Sequence, residues 1–470
     1  MATKFERAFP VINSLTEDLI TGTFQLSLPR CELRQCGTET PLTLSGAAFV
    51  DQGADGGLSL RMFVTEKYDV REGMNKLGFG TLTSGVIIPA SSYYDISGTA
   101  QNFATWRAEC QSVSPSFGVG TEIHVSLSHL DKVDTLPRTA MLGVKQWFVP
   151  GEFKLPWHVV TRTERSLSRD RFESSDADFA WAIKKTDGGV DVQFTVKNGR
   201  ALEPHTTRFM QALEMLVGRS LRPLVTSTES GNERITRLHR RPPSERSSLV
   251  PPIELGHFEP GDAHRFLSCC LHRAEQPPGM EDQLLVLYRF WWRIYCSYQS
   301  DIENSSLVLS VAIEGVLKAL FLSEYDADAE FCRKVDAAEP PIKRLDIDER
   351  VRSSILKSLH HSITPKPRET MWRLREQGVL TDAHIEAWSN LRHKGAHGAM
   401  LEDDLGKHQK HIDRYHCCLD LFYRLLFTAV GYSGGSIDYT TRGWPPSTFP
   451  PNDGVNVASP PDAAVEPKAG

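Results

Sequence analysis

The first part of the chain has apolar residues mainly at every second position. From about residue 20 to 200 this alternation recurs, most clearly in the segments 58–64 and 190–196. A period of two is that of half-buried β-strands. Short segments rich in glycine and aspartate, such as 53–57 and 187–189, separate the runs and suit strand reversals. The pattern predicts an antiparallel sandwich or barrel-like domain.

Beyond about residue 260 the apolar residues recur every three or four positions, which is the period of α-helices. Helices are predicted at 261–274, 281–299, 303–323, 348–361, 368–377, 381–394 and 401–431. The helix at 303–323 is apolar almost all round, as is typical of a central helix, and it carries Glu314. Gly431 is expected to end the last helix. The predicted fold class is therefore α+β, with a β-rich N-terminal domain followed by a helical bundle.

Two further segments differ in composition from both halves. After a predicted helix at 206–217, the arginine-rich segment 233–246 contains Pro242 and Pro243, which favours a solvated linker, with an arm that contacts phosphates as the alternative. The segment after Tyr432 is rich in proline and glycine, which is typical of disorder. We divide the chain into a β-rich recognition or regulatory domain at 1–205, a helix and basic linker at 206–260, a helical domain at 261–432 and a disordered tail at 433–470.

Length, composition and charge narrow the class of protein. A chain of 470 residues is long enough for two or three domains, and 40% hydrophobic and 24% charged residues are typical of a soluble globular protein. The net charge of −6 provides no overall basic field, so any nucleic acid must bind to a local patch. The nine cysteines include no CxxC pair, which indicates reduced thiols. No signal peptide or membrane-spanning run is evident, so we expect a cytoplasmic protein that does not bind membranes.

The stretch 390–398, with the sequence Asn-Leu-Arg-His-Lys-Gly-Ala-His-Gly, concentrates groups that bind anions and transfer protons. Arg392 is always cationic near neutral pH, whereas His397 can gain or lose a proton there. Together they could hold a phosphate and move a proton beside it, which is ribonuclease chemistry. The alternative is that these residues form the solvated, polar end of a helix.

Spacing alone does not decide between these two interpretations. An arginine followed five positions later by a histidine also occurs at 200–205 and at 234–239. The first copy contains Pro204 and the second lies in the basic linker. Only the pair Arg392 and His397 lies among predicted helices, after Thr381 as an expected N-cap.

The segment 391–398 resembles the ribonuclease motif of the HEPN superfamily, in which an arginine and a polar residue precede a histidine by a few positions. The helix at 309–318 resembles the HEPN helix that places a glutamate beside this pair. The polar position after the arginine is His393, where the superfamily most often has asparagine. Together with the β-rich first half, including the segments 22–29 and 41–46, the chain is similar to the ApeA-like antiphage proteins.

This resemblance implies a dimer in which two Arg-His pairs share one cleft and cut RNA without metal through attack by the ribose 2′-hydroxyl. His397 would be the general acid or base, and Arg392 would hold the scissile phosphate. Glu314 would orient Arg392, although a simple pair with Lys318 four residues later is an alternative. His393 would share the catalytic work. Further contacts with RNA would come from Lys394 and Asn390.

The predicted function is thus that of an antiphage endoribonuclease that cuts RNA, with tRNA among the possible targets. Its N-terminal domain would sense a phage-derived trigger or restrain the nuclease, and its helical domain would form a homodimer. The alternative is a non-catalytic HEPN module for dimerisation or RNA binding, with a β-domain that recognises a phage or cellular ligand. No cofactor or metal is predicted, since His408, His411, His416 and the adjacent Cys417 and Cys418 do not follow a recurrent zinc spacing.

Aromatic residues of the first half offer a second possible surface. They can stack on sugars or bases, but core packing is the preferred interpretation because large aromatics fill the interior of most β-sandwiches. The residues concerned are Tyr93, Tyr94, Trp106, Trp147, Trp157 and Trp181.

Overall fold

The computed structural model describes residues 10–65, 93–114, 122–136, 143–162, 167–241, 248–256, 260–272, 282–322, 329–363, 366–396 and 404–450. The chain divides into two compact units. The first comprises residues 1–206 and 220–245, and the second comprises 207–219 and 246–470.

The first unit is built on an antiparallel sheet of fourteen strands within the described residues. Helix α1 (Pro10–Thr21) precedes it. The strands are β1 (Gln25–Gln35), β2 (Thr43–Gln52), β3 (Leu58–Val64), β4 (Tyr93–Thr99), β5 (Thr105–Ser114), β6 (Glu122–Leu127), β7 (His129–Thr135), β8 (Gly143–Pro150), β9 (Val159–Arg162), β10 (Leu167–Ser175), β11 (Phe179–Thr186), β12 (Gly189–Val196), β13 (Val225–Ser230) and β14 (Glu233–His239).

The strand order is β4-β1-β2-β3-β6-β5-β7-β14-β13-β8-β12-β11-β10-β9. Strand β4 also pairs with β5, so the first six strands in this order form a closed circuit of pairings. The alternation predicted for 58–64 is confirmed, because Leu58, Leu60, Met62 and Val64 are buried and the residues between them are not. These side chains belong to the core of this part of the sheet, together with Leu28, Leu33, Val50, Trp106, Phe148 and Leu238.

Strand β12 is buried on both faces. The predicted apolar face, which includes Val192 and Phe194, is in the core, but the opposite face is also buried and carries Asp191, Gln193 and Thr195. Asp191 is 3% exposed, and its Oδ1 atom has no hydrogen-bond partner within the described part of the chain. Burial raises the pKa of this carboxyl group to about 6, against an opposing effect of Lys184.

Replacement of Asp191 by asparagine is expected to change how stability depends on pH. The folded-state pKa lies above the ordinary value of 3.8, so the stability contributed by this group is full below pH 3.8 and is lost as the pH rises through about 6. Relative to the native protein, the free energy of unfolding of Asp191→Asn should therefore rise by about 2 kcal/mol between pH 4 and pH 7, since one pKa unit is worth ~1.4 kcal/mol and part of the loss has already occurred at pH 4. Unfolding by denaturant at both pH values measures the gain. The exposed Asp187→Asn variant is the control, and an equal gain there would contradict a role for burial.

The prediction of a linker at 206–260 is wrong for residues 225–239, which form the hairpin β13–β14 inside the sheet. The arginines that suggested a solvated linker have acidic partners on neighbouring strands. Both guanidinium contacts of Arg237 with Asp131 are short, with Nε–Oδ1 at 2.7 Å and Nη2–Oδ2 at 2.8 Å. Arg234 likewise donates from Nε to Glu229 at 2.6 Å. Charge pairing across strands is what makes this basic sequence compatible with a sheet.

The second unit consists mainly of helices, so the expected order of a β-rich part followed by helices is confirmed. Helix α2 (Leu202–Val217) begins in the first unit, and its residues from 207 onward belong to the second. The others are α3 (Gly261–His272), α4 (Gln283–Ser297), α5 (Ile302–Val316), α6 (Ala329–Lys343), α7 (Glu349–Ile363), α8 (Pro367–Glu376), α9 (Asp382–Ala396) and α10 (Leu405–Val430). Helix α10 ends at Gly431, as predicted, with a left-handed φ of 70°.

Helix α5 is the central helix that its apolar sequence predicts. Leu309, Ile313 and Val316 are fully buried, and the helix continues as a π-helical turn at Leu317–Phe321. Among the described residues, Ile302–Phe321 is one helical stretch long and apolar enough to cross a membrane, but half of it is buried within the protein. That burial is typical of a core helix.

The prediction of disorder from residue 433 is wrong for the described residues 434–449. A second, two-stranded sheet forms there from β15 (Gly434–Ile437) and β16 (Pro446–Phe449). Tyr439, between the strands, is 3% exposed, and its hydroxyl donates to the carbonyl of Pro251 at 2.5 Å. Buried aromatics therefore hold this hairpin to the rest of the unit, despite its high content of glycine and proline.

Candidate functional site

Arg392 lies in the last turns of helix α9. The helix packs through Ile385, Trp388 and Leu391, which are at most 4% exposed. Their spacing of three residues places them along one side of the helix. The side chain of Arg392 is 44% exposed, so it remains accessible to an anion from solvent.

Glu314 of α5 forms an ion pair with Arg392, with 2.8 Å between Oε2 of Glu314 and Nη2 of Arg392. Its other oxygen, Oε1, lies 2.7 Å from Nζ of Lys318, one turn further along the same helix. The two roles considered for Glu314 therefore coexist. The carboxylate is only 14% exposed, whereas both cations extend towards solvent. Two positive groups thus converge on one shielded carboxylate.

Trp388 provides a second constraint on Arg392. The guanidinium carbon lies 5.3 Å from the centre of the indole ring, a distance at which a cation and an aromatic face attract each other. The indole Nε1 donates to the carbonyl of Ser310 at 3.0 Å, which fixes the ring on α5. Because Trp388 and Arg392 are one turn apart, as are Ser310 and Glu314, the two helices run side by side in the same direction here. Arg392 is therefore oriented by a carboxylate and by an aromatic ring.

The backbone of α5 is unusual at this point. A Cβ atom on Gly315 would lie 2.3 Å from the ring of Phe290, so glycine allows α4 to approach closely beside Glu314. The π-helical turn begins two residues later, and the Leu322 amide donates to the Leu317 carbonyl at 2.9 Å. Single π-helical turns within helices are frequent at functional sites. Irregular backbone geometry thus coincides with the carboxylate that contacts Arg392.

The structure describes the other predicted site residues only in part. Asn390 is half-buried, and its Nδ2 donates to the carbonyl of Glu386, one turn earlier in the same helix, at 2.9 Å. His393 and Lys394 belong to α9, but their side chains lie outside the described residues. His397 also lies outside the described residues. The structure therefore brings together Arg392 and Glu314 from the predicted set.

A buried polar cluster lies where α9 begins, and no sequence motif predicts it. His384 is completely buried, and its Nδ1 accepts from the backbone amide of Thr381 at 3.0 Å. Its Nε2 lies 2.9 Å from Oδ2 of Asp420, in the middle of α10. Asp420 also accepts from Nε of Arg424 at 2.5 Å and from the amide of Tyr439 at 3.3 Å. We call Thr381, His384, Asp420, Arg424 and Tyr439 the buried polar cluster. It connects α9, α10 and the C-terminal hairpin.

Two histidines of α10, His411 and His416, have structural partners. His411 Nε2 lies 2.9 Å from the hydroxyl of Ser306, and His416 packs against Trp444 at 4.9 Å between ring centres. Burial raises the pKa of the Cys417 thiol to about 12. The cysteines whose side chains are described are all free thiols. In the described part of the chain, no three His, Cys, Asp or Glu residues are grouped so that they could hold a metal ion.

Comparison with known proteins does not assign the chain to a group. No family model matches it, and neither a curated protein nor a solved structure is significantly similar.

Proposed function

We propose that this protein is a metal-independent endoribonuclease of the HEPN type that acts in antiphage defence. The observation that supports this proposal is the ion pair between Arg392 and the shielded Glu314, at the motif that resembles the HEPN ribonuclease signature. An arginine that is half-exposed yet held in one orientation suits the recognition of a scissile phosphate, because little ordering remains to be done on binding.

In the proposed reaction, the 2′-hydroxyl of the substrate attacks the adjacent phosphorus and the bond from phosphorus to the 5′-oxygen breaks. Arg392 binds a non-bridging oxygen and stabilises the charge that develops there. His397 accepts the proton of the 2′-hydroxyl or donates one to the leaving 5′-oxygen, because a histidine side chain, with an unperturbed pKa of roughly 6.5, can do both near neutral pH. One Arg-His pair supplies one of these two proton transfers, so a homodimer through the helical unit would provide the second.

Within this proposal the RNA substrate is contacted by Lys394, His393 and Asn390. Asn390 must then exchange its bond to the Glu386 carbonyl for one to RNA. The first unit would detect a trigger and control the nuclease, and the protein would act in the cytoplasm.

The full-length protein is expected to cleave RNA in the presence of a chelator. The test is incubation with total RNA, with and without EDTA and with phage-infected extract as a source of trigger, followed by mapping of the RNA ends. Attack by the 2′-hydroxyl must leave a 2′,3′-cyclic phosphate and a free 5′-hydroxyl. The matched control is His397→Ala, which should form the same oligomer and cleave nothing. RNA that binds without being cut under all conditions would support the non-catalytic alternative.

A further inference from the structure

A groove on the first unit is formed where strands β1, β2, β4 and β5 present their outward side chains. Its volume is about 660 Å3, within the range of roughly 300–1,000 Å3 that is usual for sites of small ligands. Arg30 and Glu32 of β1 lie in it and are exposed, whereas Cys31 and Leu33 between and after them point into the core. The groove is therefore on the outside of the closed circuit of strands.

An irregularity in β1 lies within the groove. The pairing of β1 with β2 shifts between Leu28 and Cys31, so Pro29 and Arg30 together face a single residue of β2. Proline cannot donate to the ladder, which is why bulges accommodate it in sheets. The bulged residues Pro29 and Arg30 both line the groove.

Hydroxyl groups dominate the polar lining of this groove. They come from the three strands β2, β4 and β5 and from the residue after β3, and they belong to Ser45, Thr65, Ser97, Thr99 and Thr105. The register places Glu32 between Ser45 and Ser97, and Arg30 opposite Thr99. The lining includes one cation and one anion, whose charges cancel. Such a surface offers both donors and acceptors and has no net field that would attract a phosphate chain.

Two exposed aromatic rings lie next to the groove. Phe63 of β3 pairs directly with Ala47 of β2, which is a residue of the groove lining. Phe49 lies two residues after Ala47 on β2. Their ring centres are 6.3 Å apart in an edge-to-face arrangement, and they are 43% and 46% exposed. Large exposed apolar rings at the border of a polar depression indicate a binding surface rather than core packing.

We propose that this groove binds a neutral oligosaccharide. Sugar hydroxyls would exchange hydrogen bonds with the serine and threonine side chains and with the pair Arg30 and Glu32. The apolar face of a sugar ring would pack on Phe63 or Phe49. The balanced charge favours a neutral ligand over single-stranded nucleic acid, which would require a basic groove around the aromatic rings. This inference does not depend on the proposed ribonuclease activity, because binding of the oligosaccharide is measured directly.

The test is calorimetric titration of the full-length protein with maltotriose, cellotriose, laminaritriose and chitotriose, and separately with an eight-nucleotide oligouridine. At least one trisaccharide is expected to bind with a Kd on the order of 1 mM or below. Phe63→Ala should weaken that binding about tenfold, and Thr99→Val should weaken it severalfold because it removes one hydroxyl at constant shape. The matched control is Val160→Ala on the edge strand β9, where an equally exposed apolar side chain is shortened far along the strand order.

The proposal fails if none of the four sugars binds while the unfolding transition of the protein is normal. It also fails if oligouridine binds instead and Arg30→Ala abolishes that binding, because the groove would then recognise phosphate. Equal loss of sugar binding in Val160→Ala and Phe63→Ala would likewise exclude a site at the groove. The ribonuclease assay is not involved, so either proposal can fail without the other.

Discussion

RNA cleavage is expected to fall about 10³-fold when Arg392 is replaced by alanine. Loss of one group that stabilises the charge developing in the transition state typically lowers the rate 10²–10³-fold. Arg392 would also orient the scissile phosphate, and loss of that orientation lowers the rate further. Arg392→Lys should recover only part of the activity, since an ammonium group cannot form two parallel bonds to a phosphate or stack on Trp388 in the same way. Initial rates of cleavage, measured with chelator present, give these values.

The chain supplies a close control for this substitution. Arg375 is also 44% exposed, also pairs with a carboxylate, Asp382, at 2.9 Å, and also lies over an indole ring, that of Trp372, at 5.6 Å. It differs from Arg392 in lying outside the motif. Arg375→Ala should therefore retain full cleavage, and a similar loss in both variants would show that the effect is general destabilisation.

Substitutions at Glu314 and Lys318 distinguish two roles of Glu314, which are to orient Arg392 and to balance the positive charges beside it. Glu314→Gln keeps a hydrogen-bond acceptor but removes the charge that holds Arg392 and Lys318. If Glu314 orients Arg392, cleavage falls about tenfold, whereas Lys318→Ala, which spares the contact with Arg392, has little effect. Unchanged cleavage in Arg392→Ala would remove the motif from the reaction altogether.

The sequence predicted the parts of the fold in which one face is apolar and the other polar. Strand β3 is the clearest case, because its alternating apolar residues are the ones that are buried. The hairpin β13–β14 was missed because its inward positions include Thr236 and Ser227, both buried, and because its arginines pair with acids elsewhere in the chain, such as Asp131. Pairing over such sequence distances leaves no local pattern.

The helices were predicted with ends correct to within a few residues where their apolar stripe is continuous. Helix α6 was not predicted, since it contains Pro340 and Pro341 in its last turn and has few apolar residues. The hairpin after Tyr432 was also missed, because its stability comes from contacts such as Phe427 with Phe449, 5.3 Å apart, rather than from local propensity.

At the candidate site, the sequence identified Arg392 and Glu314, which lie 78 residues apart and form an ion pair. Their association followed from a resemblance and not from periodicity. Trp388 looked like any buried aromatic on an amphipathic helix, and only the structure shows that its ring faces the guanidinium. The buried polar cluster could not be predicted, because a lone histidine and a lone aspartate on separate helices carry no pattern.

The second large effect concerns stability. Replacing Asp420 with alanine is expected to lower the free energy of unfolding by about 3–5 kcal/mol, because removal of one partner from a buried ion pair leaves the other charge without compensation. Arg424, whose side chain is 11% exposed, would then carry the uncompensated buried charge. His384 would lose the acceptor for its Nε2, and Tyr439 the acceptor for its amide. Denaturant unfolding of the full-length protein, followed by far-UV circular dichroism, measures the loss.

The control is Asp413→Ala on the same helix, where an exposed aspartate accepts a hydrogen bond from Gln409 at 2.7 Å. Surface substitutions of this kind usually change stability by no more than about 0.5 kcal/mol. Because the buried polar cluster connects the start of α9 to α10, Asp420→Ala should also lower ribonuclease activity at temperatures where the protein is still folded. If Asp420→Ala unfolds no more easily than Asp413→Ala, then Asp420 does not hold these elements together, and Arg392 is positioned by Glu314 and Trp388 without the buried polar cluster.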